Sequence, residues 1–408
     1  MKAASHISIV ARCFSPGAKS SPLHCHFAVK IVQLTTDARD HDKNYDMAVP
    51  YFGTPVEALL QGFERFPDLE IHIVCCSRVH MSAPKKLSPN VFFHSLHVPK
   101  IGWMRTLYFG CIRAIRRKLR EISPDIVHGQ GTEHECAIAA ALSGYPNVIT
   151  IHGIMREQAR LLRARPGSFY WLANFVESIA LRRTAGVFCN SQYTEECIRP
   201  RTRRTWPVAN PIRENFFRDL PALTPLKKNI FLNIGLVCPR KRQNELMAVA
   251  RELHEEGLEF ELHFLGTAGK NPYGVQFLKS VEQNRAFARY VGYKSTEELI
   301  RCLDGASSLV HVPMEESFGL VVAEALARNL KFFGFKVGGV TDIAQGVDGA
   351  EVFEDGDWNG LKNAMKTWIR HGAPRPVAAN MAMQKRYHPD VIARQHREIY
   401  HEVLQASS

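Results

Sequence analysis

Two glutamates, Glu316 and Glu324, lie on either side of the predicted start of a helix in the second half of the sequence. An apolar run that predicts a strand leads into the turn with Glu316, and Gly319 opens a stretch of good helix formers. Backbone N–H groups near Phe318, Gly319 and Leu320 are therefore expected to lack intrahelical partners and to carry the positive end of the helix dipole. Such a helix start favours a bound phosphate.

The chemistry open to these carboxylates is hydrogen bonding to a sugar and its nucleotide. Glu316, in the turn before the phosphate site, can accept hydrogen bonds from sugar hydroxyls, and Glu324, on the helix, can accept them from a ribose. The same spacing also fits a helix-capping acid followed by a solvent-facing glutamate, so the pair alone leaves both interpretations open.

The elements that must position this turn form two cycles in which short apolar runs alternate with helical stretches. Alternation of this kind predicts an α/β fold, with a parallel sheet covered by helices on both faces in each half of the sequence. Ligands of such sheets bind at the carboxyl ends of strands, so the site is expected in the cleft between the two domains. The predicted strands are Val29–Leu34, Ile71–Cys76, Val91–Leu96, Ile126–His128, Val148–Ile151, Gly186–Cys189, Ile230–Ile234, Glu261–Leu265, Ala288–Val291, Ser308–Val312 and Lys331–Phe335.

The proline-containing stretch Ala209–Asn229 is the expected linker between the cycles. We therefore expect an N-terminal extension over residues 1–28, an acceptor-side domain over 29–212, a nucleotide-sugar-binding domain over 213–388 and a last helix over 389–408.

Composition bounds the class of protein. A chain of 408 residues, with 45% hydrophobic and 23% charged residues, has globular values and the length of two domains. No uninterrupted apolar run reaches about 18 residues, so no transmembrane helix is predicted. The ten cysteines include no C-x-x-C pair, which favours a reduced, cytosolic compartment, and no residues with convincing metal-ligand spacing are found.

The net charge of +12 is concentrated in residues 1–210 and predicts an anionic partner, although a merely solvated basic surface is the alternative. A predicted helix near residues 103–122 carries an apolar stripe among basic residues, and together with later arginines it could meet an anionic membrane at the inner, cytoplasmic face. The sequence predicts no basic helix with interleaved aromatic residues, the pattern that would indicate nucleic-acid recognition. The stripe is Trp103, Leu107, Cys111, Ile115 and Leu119, and the basic residues are Arg105, Arg113, Arg116, Arg117, Lys118, Arg120, Arg156, Arg160, Arg163 and Arg165.

The segment from Glu316 to Glu324, with its Ser-Phe-Gly-Leu and Ala-Glu-Ala-Leu-Ala neighbours, resembles the Glu-x7-Glu motif of family 4 glycosyltransferases. Those enzymes have the GT-B fold, in which two Rossmann-like domains face each other across a cleft and a C-terminal helix crosses back to the first domain. The resemblance implies that Glu316 contacts the donor sugar and Glu324 the ribose. It also implies transfer of a hexose-type sugar from a nucleoside-diphosphate sugar to a glycan or lipid-linked acceptor, with retention of configuration and without a metal or other cofactor.

Further segments follow the family's order. The loop that begins at Gly235 resembles its phosphate-binding loop, in which Lys241 matches the usual lysine. Leu236 replaces the usual arginine, so either Arg240 or Arg242 is expected to supply the missing cation.

On the acceptor side, the strand-end His152 is similar to the histidine that reaches the donor sugar across the cleft. Gly53 takes the place of the family's Gly-Gly after the first strand. Tyr290 and Val291 lie in the segment whose backbone meets the nucleobase, and Asp342 stands where a glutamate is more usual.

Two other classes of protein fit parts of the pattern. Another two-Rossmann sugar-nucleotide enzyme, such as an epimerase, would share the donor site but lack a separate acceptor. A basic nucleic-acid-binding or scaffold protein could keep the fold without catalysis, but it would not need His152, Lys241 and Glu316 together, and its affinity would fall steeply with salt.

Overall fold

The strands of the first half form one sheet in the computed structural model, which describes residues 29–221 and 228–407. The predicted extension, residues 1–28, lies outside the described residues. The strand order is β3-β4-β2-β1-β5-β6-β7-β8, with parallel neighbours except at the antiparallel edge pair β3–β4. The strands are β1 (Val29–Leu34), β2 (Leu69–Ser77), β3 (Lys86–Ser88), β4 (Val91–His97), β5 (Ile126–Gln130), β6 (Asn147–Ile151), β7 (Gly186–Cys189) and β8 (Thr205–Pro207).

Helices cover both faces of this sheet, so every residue of its central strands β5, β6 and β7 is buried, including the polar His128 and Gln130 of β5. The helices between these strands are α1 (Ala38–Asp42), α2 (Thr54–Phe63), α3 (Phe109–Ile122), α4 (Glu135–Ala141), α5 (Met155–Leu161), α6 (Phe169–Arg183) and α7 (Gln192–Ile198).

The second half forms a parallel sheet with the order β11-β10-β9-β12-β13-β14, again with helices on both faces. Its strands are β9 (Ile230–Ile234), β10 (Glu261–Leu265), β11 (Ala288–Gly292), β12 (Ser308–His311), β13 (Lys331–Phe335) and β14 (Ala350–Phe353). Its helices are α8 (Gln243–Glu255), α9 (Pro272–Gln283), α10 (Thr296–Asp304), α11 (Leu320–Ala327), α12 (Gly339–Ala344), α13 (Trp358–Arg370) and α14 (Ala379–Tyr387). The predicted class, two doubly wound α/β domains, is confirmed.

The last helix, α15 (Pro389–Ser407), returns to the first domain and packs on α2. A Cβ at Gly62 of α2 would lie 2.4 Å from the carbonyl oxygen of Pro389, so only glycine lets the two helices approach this closely. Further along α15, His396 stacks on Phe188 of β7 with the ring centroids 4.7 Å apart. The crossover helix therefore completes the core on one face of the first sheet.

Three details differ from the sequence predictions. The polar loop after β1 contains the short helix α1, and the edge strands β3, β8 and β14 were not predicted. The basic helix begins at Phe109, and Leu107 lies before it, exposed and in a left-handed conformation with φ 50°. The buried stripe of α3 therefore starts at Cys111 and does not include Trp103 or Leu107. Among the described helices, none is both long and apolar enough to cross a membrane.

Candidate active site

The turn that carries Glu316 lies between β12 and α11 and packs on the start of α12. Gly338, with φ 52°, leaves no room for a side chain because a Cβ there would lie 1.9 Å from the carbonyl oxygen of Glu316. That oxygen accepts a hydrogen bond from the backbone N–H of Gly339 at 3.1 Å. The two turns are thereby fixed against each other, and the position of Glu316 is set by the backbone.

The carboxylate of Glu316 is held between two basic side chains. The Nζ atom of Lys241 forms an ion pair with it, and Nε2 of the buried His311 lies 3.0 Å from its Oε2 atom. Burial alone would raise the pKa of Glu316, but Lys241 and the hydrogen bond from His311 outweigh burial and hold the pKa well below its usual range. Glu316 is therefore ionised throughout the physiological range.

Helix α11 begins directly after this turn, with Gly319 as its N-cap at φ 99° and Leu320 as its first residue. The buried ring of Phe318 packs edge-on against Tyr387, with centroids 5.4 Å apart. The first turn of an α-helix leaves its N–H groups without intrahelical carbonyl partners. Phe318, Gly319 and Leu320 therefore lie at a helix start, where the sequence predicts an anion site, and the binding itself stays a prediction.

Glu324 lies one helical turn into α11 and is almost fully buried rather than solvent-facing. Arg213, from the linker, approaches it with Nη2 at 3.3 Å from Oε1 and also donates to Thr296. Burial raises the pKa of Glu324 to about 7, against the opposing effect of Arg213. Its protonation therefore changes near neutral pH.

The basic loop after β9 brings one of its two arginines to the Glu316 turn. Nη1 of Arg240 is 3.1 Å from both the backbone carbonyl and the Oε2 atom of Glu315. Arg242 instead pairs with Asp355, with its guanidinium 5.9 Å from the centre of the Phe335 ring. Of the two arginines, Arg240 therefore lies beside the turn with Lys241.

A cavity of about 310 Å³ opens beside this loop, at the carboxyl ends of β9 and β10. Its lining includes Gly235, Leu236 and the exposed Tyr293, but not Tyr290 or Val291. The hydroxyl of Tyr290 donates to the carbonyl of Gly266 at 2.9 Å and accepts from the N–H of Ala268 at 3.0 Å. Tyr290 thus holds the loop after β10, while Tyr293 and Leu236 face the cavity.

His152 follows β6 in the first domain, and its Nε2 atom lies 3.0 Å from Oε1 of Gln130 at the end of β5. Burial lowers the pKa of His152 to about 4, although the nearby Asn210 side chain opposes this shift, so the ring is neutral at physiological pH. Gly53 caps α2, and a Cβ there would meet no atom within 4 Å. Open space therefore lies at that helix start.

Two glutamates not singled out from the sequence lie near His152. The carboxylate of Glu133 sits between Gly131 and Gly153, and burial raises its pKa to about 7. Glu177, fully buried on α6, accepts hydrogen bonds from the Thr132 hydroxyl at 2.8 Å and the Met155 N–H at 2.9 Å. Glu177 thus ties together the loops that follow β5 and β6.

The two domains touch at the Glu316 turn. The hydroxyl of Ser191, the N-cap of α7, donates to the carbonyl oxygen of Ser317 at 2.5 Å. This bond lies at the edge of the cleft, directly beside Glu316.

Within the residues that the structure describes, one set of His, Cys, Asp or Glu side chains has ligand atoms close enough to share a metal ion: Cys76, Cys111 and Glu135. All three are buried in the core of the first domain. None of the candidate donor-site residues belongs to this set.

The fold and the matches to known families define this chain as a GT-B glycosyltransferase. A family model described as glycosyl transferases group 1 matches residues 217–386. A second, described as Glycosyltransferase Family 4, matches residues 56–212. Together the two matches span most of both domains, and within the GT-B class the chain is of the family 4 type.

Solved glycosyltransferase structures share this fold. Sucrose-phosphate synthase from Thermosynechococcus elongatus superposes with a TM-score of 0.73 and 16% identity, covering 93% of this chain and 100% of that chain. HepE from Anabaena, in complex with UDP-glucose, superposes with a TM-score of 0.67 and 16% identity, covering 92% of this chain and 100% of that chain. The lipopolysaccharide outer core galactosyltransferase WaaB gives 0.64 and 14%, with 91% and 99% covered. No match was found among curated protein sequences.

Proposed function

We propose that this glycosyltransferase moves a hexose-type sugar from a nucleoside diphosphate to a glycan or lipid-linked acceptor, with retention of configuration and without a metal or other cofactor. The observation that carries the proposal is the ionised Glu316, held by Lys241 and His311 beside the start of α11. A carboxylate there can accept hydrogen bonds from the donor sugar, while the neighbouring ammonium group and helix start meet the charge of the leaving diphosphate.

The donor is proposed to lie along the second domain. Arg240 and Lys241 would share the diphosphate charge, and the cavity lined by Gly235 and Leu236 would take the base. Glu324, in its ionised form, would accept from the ribose hydroxyls. HepE was crystallised with UDP-glucose, which makes uridine the first base to test.

The acceptor is proposed to enter from the first domain, past Gly53 and His152. A lipid-linked acceptor fits the surface around the N-terminal half of α3, where a cavity of about 580 Å³ is lined by both apolar and basic side chains. Ile101 and Phe109 are 80% and 67% exposed beside Arg113, Arg117 and Arg120, and this set is called the α3 face. Exposed apolar side chains can insert among the lipid acyl chains while the neighbouring arginines bind the anionic headgroups.

The decisive experiment is a nucleotide-sugar screen, with mass spectrometry to detect the released nucleoside diphosphate and NMR to read the anomeric configuration of the product. We expect consumption of one class of donor, retention, and full activity in EDTA. Glu316→Gln should abolish turnover, whereas Glu256→Gln, the same change in a surface pair with Lys366, should leave it unchanged. Inversion, or loss in EDTA that Mn²⁺ restores, would contradict the proposed mechanism.

A further inference from the structure

A line of buried hydrogen bonds connects His152 to the crossover helix α15. Beyond the contact between His152 and Gln130, Nε2 of Gln130 donates to Oε1 of Gln33 on β1 at 2.7 Å. Nε2 of Gln33 donates in turn to the hydroxyl of Tyr400 at 2.7 Å. The line therefore runs from the end of β6, through β5 and β1, to a residue of the last helix.

These groups lie in the interior of the first domain. Gln33 is 1% exposed, Tyr400 is 0% exposed and Gln130 is 7% exposed. The Tyr400 hydroxyl is also 2.6 Å from Nδ1 of the buried His128. Polar atoms in such a place cost free energy unless each is paired, so a line of paired amides across an apolar core is held in one arrangement.

The direction of these bonds determines which nitrogen of His152 carries hydrogen. An amide side chain presents an acceptor on one side and donors on the other. Because Gln33 donates to Tyr400, its oxygen accepts from Gln130, and the oxygen of Gln130 is left to face His152. Nε2 of the neutral imidazole is then protonated, which leaves Nδ1 as an acceptor. Nδ1 makes no hydrogen bond of normal geometry among the described residues.

We infer that Tyr400 is a positioning residue that acts through Gln33 and Gln130 to fix the tautomer and orientation of His152. This inference rests on the proposed function, in which His152 meets the donor sugar. The crossover helix then does more than bury one face of the first sheet. Through these hydrogen bonds, the position of the helix also determines the orientation of His152 in the cleft. Tyr400 itself does not touch the reacting atoms.

The test is a double-mutant cycle on the full chain, assayed with whichever nucleotide-sugar the wild type consumes. Tyr400→Phe removes only the hydroxyl and should lower kcat by about fivefold to tenfold, with an unchanged KM for the donor. In a His152→Ala background the same change should have no further effect, because the imidazole that the hydrogen bonds orient is then absent. Gln130→Met, which breaks the line at its middle, should reproduce the effect of Tyr400→Phe.

Tyr145→Phe is the matched control, since it deletes a tyrosine hydroxyl in the same domain that bonds instead to the carbonyl of Leu119. Thermal unfolding of all variants separates positioning from loss of fold. The inference is overturned if Tyr400→Phe behaves like Tyr145→Phe, or if its effect persists in the His152→Ala background. If the wild type consumes no nucleotide-sugar, the proposed function fails and the inference fails with it. An active wild type with additive variants would contradict the inference alone.

Discussion

The carboxylate of Asp342 in the second domain accepts a hydrogen bond from the backbone N–H of Gln192 in the first domain, at 2.7 Å. Gln192 is the first residue of α7, so the acid faces the positive end of that helix. Together with the bond from Ser191 to Ser317, this contact holds the domains together beside Glu316.

Replacing Asp342 by alanine should therefore loosen the closed arrangement without unfolding either domain. A carboxylate at a helix N-terminus contributes about 1 kcal/mol, so we expect kcat/KM to fall about fivefold while the Tm changes little. Asp348→Ala is the control, because Asp348 accepts from the N–H groups of Val377 and Ala378 within one domain. Equal effects of the two changes on steady-state kinetics would refute a role in closure.

Lys241→Met should change both the rate and its pH dependence. The pKa of Glu316 rises when the ammonium group is lost, because burial is then opposed only by His311, so protonation of Glu316 begins at a higher pH. We expect kcat to fall by about a hundredfold and the acid limb of the pH profile to move to higher pH. Lys241→Arg keeps the positive charge and should keep the wild-type profile. An unmoved acid limb in Lys241→Met would show that Lys241 does not control Glu316.

Glu324 should make donor binding depend on pH near neutrality. Its pKa is about 7, and only the ionised carboxylate accepts hydrogen bonds from both ribose hydroxyls, so affinity should rise as the pH increases through about 7. In Glu324→Gln the affinity should be lower and independent of pH over that range. Calorimetry with UDP-glucose measures the affinity and its pH dependence for both proteins, since the diphosphate of UDP-glucose does not titrate near neutral pH.

The pKa of Glu324 in the folded protein is above its ordinary value, so the stability of the fold should depend on pH in the opposite direction to donor affinity. The unfolded chain ionises Glu324 more easily, and the folded protein should lose stability as the pH rises from 4.5 to about 7. Glu324→Gln should therefore flatten this part of the stability profile.

Glu177→Gln should destabilise the first domain. The carboxylate is fully buried and pairs with Arg201 at 2.6 Å, and removing one charge leaves the other without its partner. We expect a loss of about 3 kcal/mol in the free energy of unfolding. Glu195→Gln, in a surface pair with Arg199, should cost less than about 0.5 kcal/mol. Similar denaturation curves for the two variants would contradict this assignment.

The α3 face should bind anionic but not neutral vesicles, and binding should weaken as salt shortens the Debye length. Each basic residue contributes about 1 kcal/mol near such a surface, so replacing Arg113, Arg117 and Arg120 by glutamate should weaken cosedimentation by at least about a hundredfold. Donor hydrolysis should be unaffected, because the proposed donor site lies in the other domain.

The control for the α3 face is the same change of charge at the exposed Lys279, Arg370 and Lys385 of the second domain, which should leave vesicle binding largely intact. If the wild type ignores anionic vesicles at low salt, the α3 face is not a membrane surface. Lys118 is not a useful probe, since it is already paired with Glu121.

The apolar runs identified most of the strands of both sheets, because strands buried on both faces are rich in hydrophobic residues. The edge strands escaped this criterion: β3 contains Lys86 and Ser88, and β14 is only partly buried. Helix α3 was extended too far because the apolar spacing continues through Leu107, where the backbone turns into a left-handed conformation.

The resemblance to the family supplied Lys241 and His152, but contacts between candidate site residues could be predicted from spacing only within one segment. Glu316 and Glu324 are local, but the pairing of Lys241 with Glu316 depends on β9 lying next to β12, which no spacing along the chain reveals. His311 carried a usable signal, since it ends a buried strand just before the turn. Arg213 carried none, because its contact with Glu324 depends on how the linker folds back onto α11.

The return of α15 to the first domain has a consequence for synthesis on the ribosome. Residues 389–407, which cover Phe63 of α2 and Phe188 of β7, are translated only after the whole second domain has been made. During translation of the second domain, the first domain therefore exposes one apolar face of its core. Exposed apolar surface of this kind favours chaperone binding and aggregation. The two halves of this enzyme cannot mature in the order in which they are translated, and the half made first is the last to be finished.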